Sequence, residues 1–112
     1  MKKIVSDGFR LSMLPFKVAN IHIEDLSYTV FKEEIKDAEF YVTDSSALKV
    51  LRVLTGKEIK PNTEPFLLLK NTVLYVCEVR TPIALEDEGL IKVAYRNYKI
   101  QFWKIFVKEC KS

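Results

Sequence analysis

The stretch from Tyr41 to Asn62, YVTDSSALKVLRVLTGKEIKPN, limits the folds open to this chain more than any other. The preceding Glu39–Val42 reads as a short strand that runs straight into Thr43-Asp44-Ser45-Ser46. A helix follows. Leu48, Leu51 and Leu54 recur at helical spacing, and Val50 and Val53 widen the apolar stripe. Asp44 is a side chain that accepts hydrogen bonds from the amides of a helix's first turn. Gly56 suits the left-handed residue that closes one. Turns of this kind often hold phosphate, because the first amides of a helix lack internal partners and favour negative charge. The stretch therefore poses three alternatives: a working nucleotide enzyme, an enzyme that has lost its acid, or a well-capped helix.

The remaining segments extend the same pattern. KKIVS, at Lys2–Ser6, reads as a first strand interrupted at Asp7-Gly8. FKVANIHI, from Phe16, alternates Phe16 and Val18 and then, after a slip at Asn20, Ile21 and Ile23, which makes a second strand. His22 then points to the opposite face from its neighbours, as an exposed or edge histidine. EDLSYTVFKEEIKD places Leu26, Val30, Phe31 and Ile35 at helical spacing, with Glu24 and Asp25 suited to the positive end of that helix. EPFLLLK and TVLYVCEVR read as two strands separated by a tight turn at Asn71. The near-continuous Leu67-Leu68-Leu69 suggests a strand covered on both faces. A short helix is expected around Glu86–Ala94. KIQFWKIFVKE closes the pattern as a strand, with Ile100, Phe102, Lys104 and Phe106 on one face and Gln101, Trp103, Ile105 and Val107 on the other. No regular strand–helix–strand repeat appears. The expected fold is α+β: one domain over residues 1–112, with a mixed sheet of about five strands and two or more helices packed on it.

Composition excludes several classes. A hydrophobic share of 48% and a charged share of 29% are those of an ordinary globular domain. A formal charge of +3, with scattered lysines, does not argue for duplex nucleic acid. No apolar run approaches the roughly 20 residues that span a bilayer. Ser6, Asp7, Gly8 and Arg10 break the N-terminal stretch, so it does not read as a signal peptide. The chain is thus expected to be soluble and intracellular. The two cysteines, Cys77 and Cys110, read as a buried thiol and a terminal one. Together with the single His22 they show no ligand spacing, so neither a metal nor a cofactor is expected.

Several strings, taken in order, resemble the small viral ring nucleases of archaeal viruses, which act as anti-CRISPR proteins. VSDGFRLSML resembles that family's opening strand and loop, where Asn-Ala-Phe-Ser-x-Asn-Met-Leu is typical; Phe9, Leu11, Met13 and Leu14 fit, and Asp7-Gly8 replaces Asn-Ala. VTDSSALKVLRVLTG is similar to the family's Ile-Gly-His-Asp-Ser-Thr turn and following helix. Pro61-Asn62 matches the lead-in to an Asn-Arg pair, and AYRNYKIQFWKIFV the closing helix end and last strand. The segment from Thr81 to Lys92 matches poorly. The resemblance implies a homodimer in the host cytoplasm with a cleft across its axis. That cleft would bind cyclic tetra-adenylate and cut it by attack of a ribose 2′-hydroxyl on the adjacent phosphate, with a histidine as acid and arginines on the phosphates.

The catalytic positions do not carry over. The family histidine aligns with Asp44 and the arginine of the Asn-Arg pair with Thr63, while the strand-end arginine has only Arg80 nearby. A general acid must be protonated near working pH. An aspartate at a helix N-terminus, with an ordinary pKa of about 3.9, is held ionised. Asp44 is therefore expected to cap the helix, occupy its amides and repel phosphate. The remaining candidates for holding a nucleotide are Arg10, Ser12, Ser45, Ser46 and Arg80; Tyr95, Tyr98, Phe102, Trp103 and Phe106 read as core or dimer surface. The chain is read as a non-catalytic relative that counters host CRISPR defence by binding a protein partner such as a Cas effector. Binding or slow cleavage of cyclic tetra-adenylate is the alternative, and a DNA-associated viral protein a further one.

Overall fold

Alternation decides how each strand divides its side chains, and here it divides them between two unequal faces. The computed structural model describes residues 1–15, 18–81 and 86–110. Its elements are β1 (Lys2–Ser6), a 3-10 turn at Leu11–Met13, β2 (Val18–Asp25), α1 (Tyr28–Glu34), β3 (Glu39–Tyr41), α2 (Ser45–Thr55), β4 (Thr72–Val79), α3 (Glu88–Arg96) and β5 (Ile100–Cys110). The strands form one five-stranded sheet in the order β2-β5-β4-β1-β3. β1 pairs in parallel with β3 and β4, and β5 runs antiparallel to both β4 and β2. This is the mixed-sheet α+β domain expected from the sequence, with three α-helices.

One face carries Val5, Val73, Tyr75, Cys77, Ile100 and Phe102, which pack with the buried residues of the helices. Phe102 is at its centre. Phe31 of α1 stacks on it with ring centroids 4.1 Å apart, and Tyr95 of α3 with 5.5 Å. Polar contacts tie the helices together around this stack. Glu88 of α3 accepts from the Tyr28 hydroxyl and the Lys32 ammonium of α1. The Lys92 ammonium lies 5.5 Å from the centre of the Tyr28 ring, within reach of a cation–π attraction. Tyr75 donates to the Glu34 carboxylate at 3.0 Å, which fastens the end of α1 to the sheet.

The other face carries Ile4, Leu74, Val76, Ile105 and Val107. Among the described residues, none of the three α-helices contributes to this cluster. Its partly buried neighbours are Phe9, Met13, Leu14 and Phe66 from two loops, and Ile21, Tyr41 and Trp103 from the strands. Large apolar side chains remain exposed around it, with Leu11 at 78%, Leu67 at 52% and Ile23 at 51%.

Four expectations need correction. Glu64–Lys70 is not a strand: Leu68 is buried, but Leu67 and Leu69 are exposed. The sheet leaves this segment no place beside β1 or β4, because β1 is already flanked by β3 and β4, and β4 by β1 and β5. A single bond, from the Leu68 amide to the Met13 carbonyl at 2.6 Å, pins it across the face. Second, Glu24 and Asp25 belong to β2, paired with Lys104 and Trp103, and α1 starts at Tyr28 behind the N-cap Ser27. Third, Val30 lies outside the apolar face of α1 and is 43% exposed. Fourth, Tyr98 is 73% exposed, which excludes the core half of the core-or-dimer-surface reading for this residue. The slip at Asn20 is real, since the β2–β5 register shifts on both sides of it. Phe16 lies outside the described residues, as does Pro82–Leu85 within the segment of poor resemblance.

Candidate functional site

Parallel neighbours end on the same side of a sheet, so the loops after β1 and β3 meet. At the end of β1 the Ser6 hydroxyl donates to the Gly8 carbonyl at 3.0 Å and turns the chain there. The turn aims Asp7 across to the end of β3. Its Oδ2 accepts from the Thr43 amide at 2.9 Å, the Asp44 amide at 2.8 Å and the Thr43 hydroxyl at 3.3 Å. Bonds to an ionised acceptor are about twice as strong as neutral ones, so Asp7 locks the turn that precedes α2. Asp44 does what its position predicts: its Oδ2 accepts from the Ala47 amide at 2.9 Å. At the far end Gly56 closes the helix with φ of 68°, and its amide bonds to the Arg52 carbonyl at 2.9 Å.

A third segment completes the site. The Asn62 amide donates to the Val42 carbonyl at 3.0 Å, and its side-chain Nδ2 to the Phe40 carbonyl at 3.2 Å. Asn62 Oδ1 accepts from the Glu64 amide at 3.0 Å. The three segments enclose an open cleft of about 420 Å³, with Ser6, Asp7, Arg10, Ser12, Thr63 and Glu64 among its lining residues. One wall is aromatic: the Tyr41 and Phe66 rings lie 5.0 Å apart. Behind the helix turn Cys77 is fully buried; burial, with the charges of Asp44 and Asp7 adding, pushes its thiol well above the usual range and leaves it unreactive.

The five sequence candidates do not converge. Arg10 and Ser12 line the cleft, on its exposed rim. Ser45 and Ser46 begin α2 but do not line it. Arg80 is elsewhere. Ser6 pairs with Val76 in the parallel register, so Arg80 lies four residues further along β4, roughly 13 Å at strand rise. It forms an ion pair with Glu78 at 2.8 Å. His22, on edge strand β2, packs its ring 4.8 Å from that of Phe106 and bonds to Glu24 at 3.0 Å. Four strand spacings separate β2 from β3, roughly 19 Å, so it cannot serve this turn.

Sequence reasoning missed Asp7, the residue that organises the site. Asp7 reaches Asp44's own amide from 37 positions away. The available signal was an acidic residue directly after β1, if β1 and β3 had been taken as parallel neighbours. Among the described residues, no group of three or more His, Cys, Asp or Glu is placed to hold a metal ion, and no helix is long and apolar enough to cross a membrane.

No protein-family model matches the chain, and no curated protein sequence matches it. Solved structures do. B116 of Sulfolobus turreted icosahedral virus superposes with a TM-score of 0.80 over 95% of this chain and 99% of its own. The two share a fold. At 17% sequence identity the likeness extends to the fold alone.

Proposed function

We propose that this chain is a viral protein of ring-nuclease-like build that does not cut cyclic oligoadenylate and acts in the host cytoplasm by binding a protein. The concrete version is contact with a host CRISPR effector. Support for the viral setting comes from the fold shared with the archaeal-virus protein B116. One observation carries the non-catalytic reading: the Asp7 carboxylate accepts from the Thr43 and Asp44 amides. In the resemblance, this turn carries the acid and faces phosphate. Here two carboxylates, Asp7 and Asp44, hold its amides and present like charge to a phosphate. The homodimer implied by the resemblance belongs to the same proposal, supported by the apolar side chains left exposed on the helix-free face; sedimentation of the purified protein tests it.

A single-turnover assay with radiolabelled cyclic tetra-adenylate, with gel retardation in the same tubes, tests the reading. The expected result is neither cleavage nor retardation, together with retention of a CRISPR effector from host extract. Cleavage would overturn it. Retardation without cleavage would favour a second reading, a ligand sponge. Arg10 and Ser12 on the rim of the cleft support that one.

A further inference from the structure

We propose that the cleft beside β1 and β3 receives the cationic end of an arginine or lysine side chain from a partner protein. The inference rests on the protein-binding reading above and specifies the chemistry of the same site. It starts from what the cleft still offers after its internal bonds are made. The donors at the helix turn are spent: the Thr43 and Asp44 amides on Asp7, the Ala47 amide on Asp44, the Glu64 amide on Asn62 Oδ1, and the Asn62 side-chain amide on the Phe40 carbonyl. The Ser6 hydroxyl is spent on the Gly8 carbonyl. A phosphate entering here would find these amides taken, and its donors would be those of Arg10, Ser12 and Thr63.

Acceptors, by contrast, are in surplus. An ionised carboxylate has about four acceptor positions. Asp7 uses only Oδ2, for three bonds. The Glu64 carboxylate is exposed and makes no hydrogen bond or ion pair among the described residues, and it lines the same cleft. Two acids against the single base Arg10 give the lining a charge of −1, in a chain whose total is +3. The aromatic wall of Tyr41 and Phe66 suits the same guest, because a guanidinium stacks on ring faces while its N–H groups reach carboxylates. A volume of about 420 Å³ admits a long side chain and its terminal group. Arg10, on the rim, is free to meet an acidic neighbour of that guest.

Titration of the uniformly ¹⁵N-labelled full chain, followed by amide chemical shifts, provides the test. The probes are a blocked tripeptide with a central arginine, its glutamate counterpart, spermidine and inorganic phosphate. The arginine peptide is expected to move the Asp7, Thr43, Asn62 and Glu64 signals and the glutamate peptide to leave them in place. Glu64→Gln is expected to weaken the arginine peptide about tenfold, which corresponds to about 1.4 kcal/mol. That variant keeps the fold, because only the Glu64 backbone is bonded. Movement of the same signals by phosphate, or no movement by the arginine peptide, overturns the cationic chemistry. Spermidine binding as tightly as the peptide overturns a protein side chain as its source. An effector captured equally by wild type and Glu64→Gln removes this inference and leaves the protein-binding reading standing. Arginine binding without any captured effector removes the CRISPR effector as the partner and leaves the cationic chemistry of the cleft standing.

Discussion

The two faces of the sheet are made from the same five strands, yet they are closed in different ways. On one, α1 and α3 clamp Phe102 between Phe31 and Tyr95. On the other, two loops lie over Ile4, Leu74 and Ile105, and one backbone bond pins them together. Helices satisfy their own backbone groups and can press an unbroken apolar stripe onto a sheet. Loops must spend their amides on whatever lies near, and they leave apolar side chains uncovered. The helical face is therefore the more tightly covered of the two, and the loop face keeps apolar side chains at its surface. The cleft opens at the rim of that loop face, from the segments that follow β1, β3 and Asn62.

Truncating the centre of each face is the most direct way to break this contrast. Phe102→Ala should cost about 3–5 kcal/mol, read as a lower midpoint in urea denaturation, because two helices close on that ring and cannot collapse into the space it leaves. Leu68→Ala removes a side chain that is equally buried, at 0% exposure. It should cost about 2 kcal/mol, the low end for such a truncation, because its loop can settle inward. Equal losses at the two positions would mean that the faces are equally rigid.

Acid should act on the helical face. The Tyr75 hydroxyl bond, ahead of burial which works the other way, holds the Glu34 carboxyl below its ordinary value of 4.5, with Lys3 and Lys104 adding to the effect. A carboxyl held lower in the folded state contributes stability that is present above its unfolded value and lost as pH falls through its folded one. Urea midpoints measured from neutral pH downward should therefore drop below about pH 4.5. Glu34→Gln should start from a lower midpoint at neutral pH and lose less on acidification. An unchanged acid slope would show that α1 is held by its apolar residues alone.

The smallest expected change is a gain. Tyr98 is the one non-glycine residue with positive φ among those described, at 58°, where the chain leaves α3. Its side chain is exposed, so nothing in the packing favours a tyrosine there. Tyr98→Gly should raise stability by about 1 kcal/mol, since only glycine adopts that conformation freely. A thermal melt decides it, and a loss would mean that the tyrosine ring makes contacts worth more than the strain.

The sequence's local signals were read correctly and its competitive ones were not. Asp44 and Gly56 frame α2 because capping is settled within a few residues. The slip at Asn20 was visible because alternation breaks there. Leu67-Leu68-Leu69 misled, because an apolar run reports only that something is buried. Whether it finds a strand partner depends on which edges remain open, and none beside β1 or β4 does. Glu24 and Asp25 misled for a similar reason: acids suit a helix start, but β5 extends far enough to keep them in the sheet. At the site, the capping role of Asp44 was legible and the reach of Asp7 was not, because 37 positions separate Asp7 from the amide that it fixes. Arg80, a candidate phosphate grip from sequence, pairs with Glu78, two positions back on the same face of the strand.

The strand order also dictates when this chain can finish folding. β2 lies at an edge, and its sole sheet neighbour is β5. The central pair, His22 with Phe106, is separated by 84 positions. During synthesis β2 must therefore wait, unpaired, until every other element has been made. β1, though first out, gains its partners only with β3 and β4. A nascent chain of this topology holds open strand edges throughout translation, which exposes it to pairing with other unfinished chains. Contacts of such separation also make refolding slow for a domain of this size.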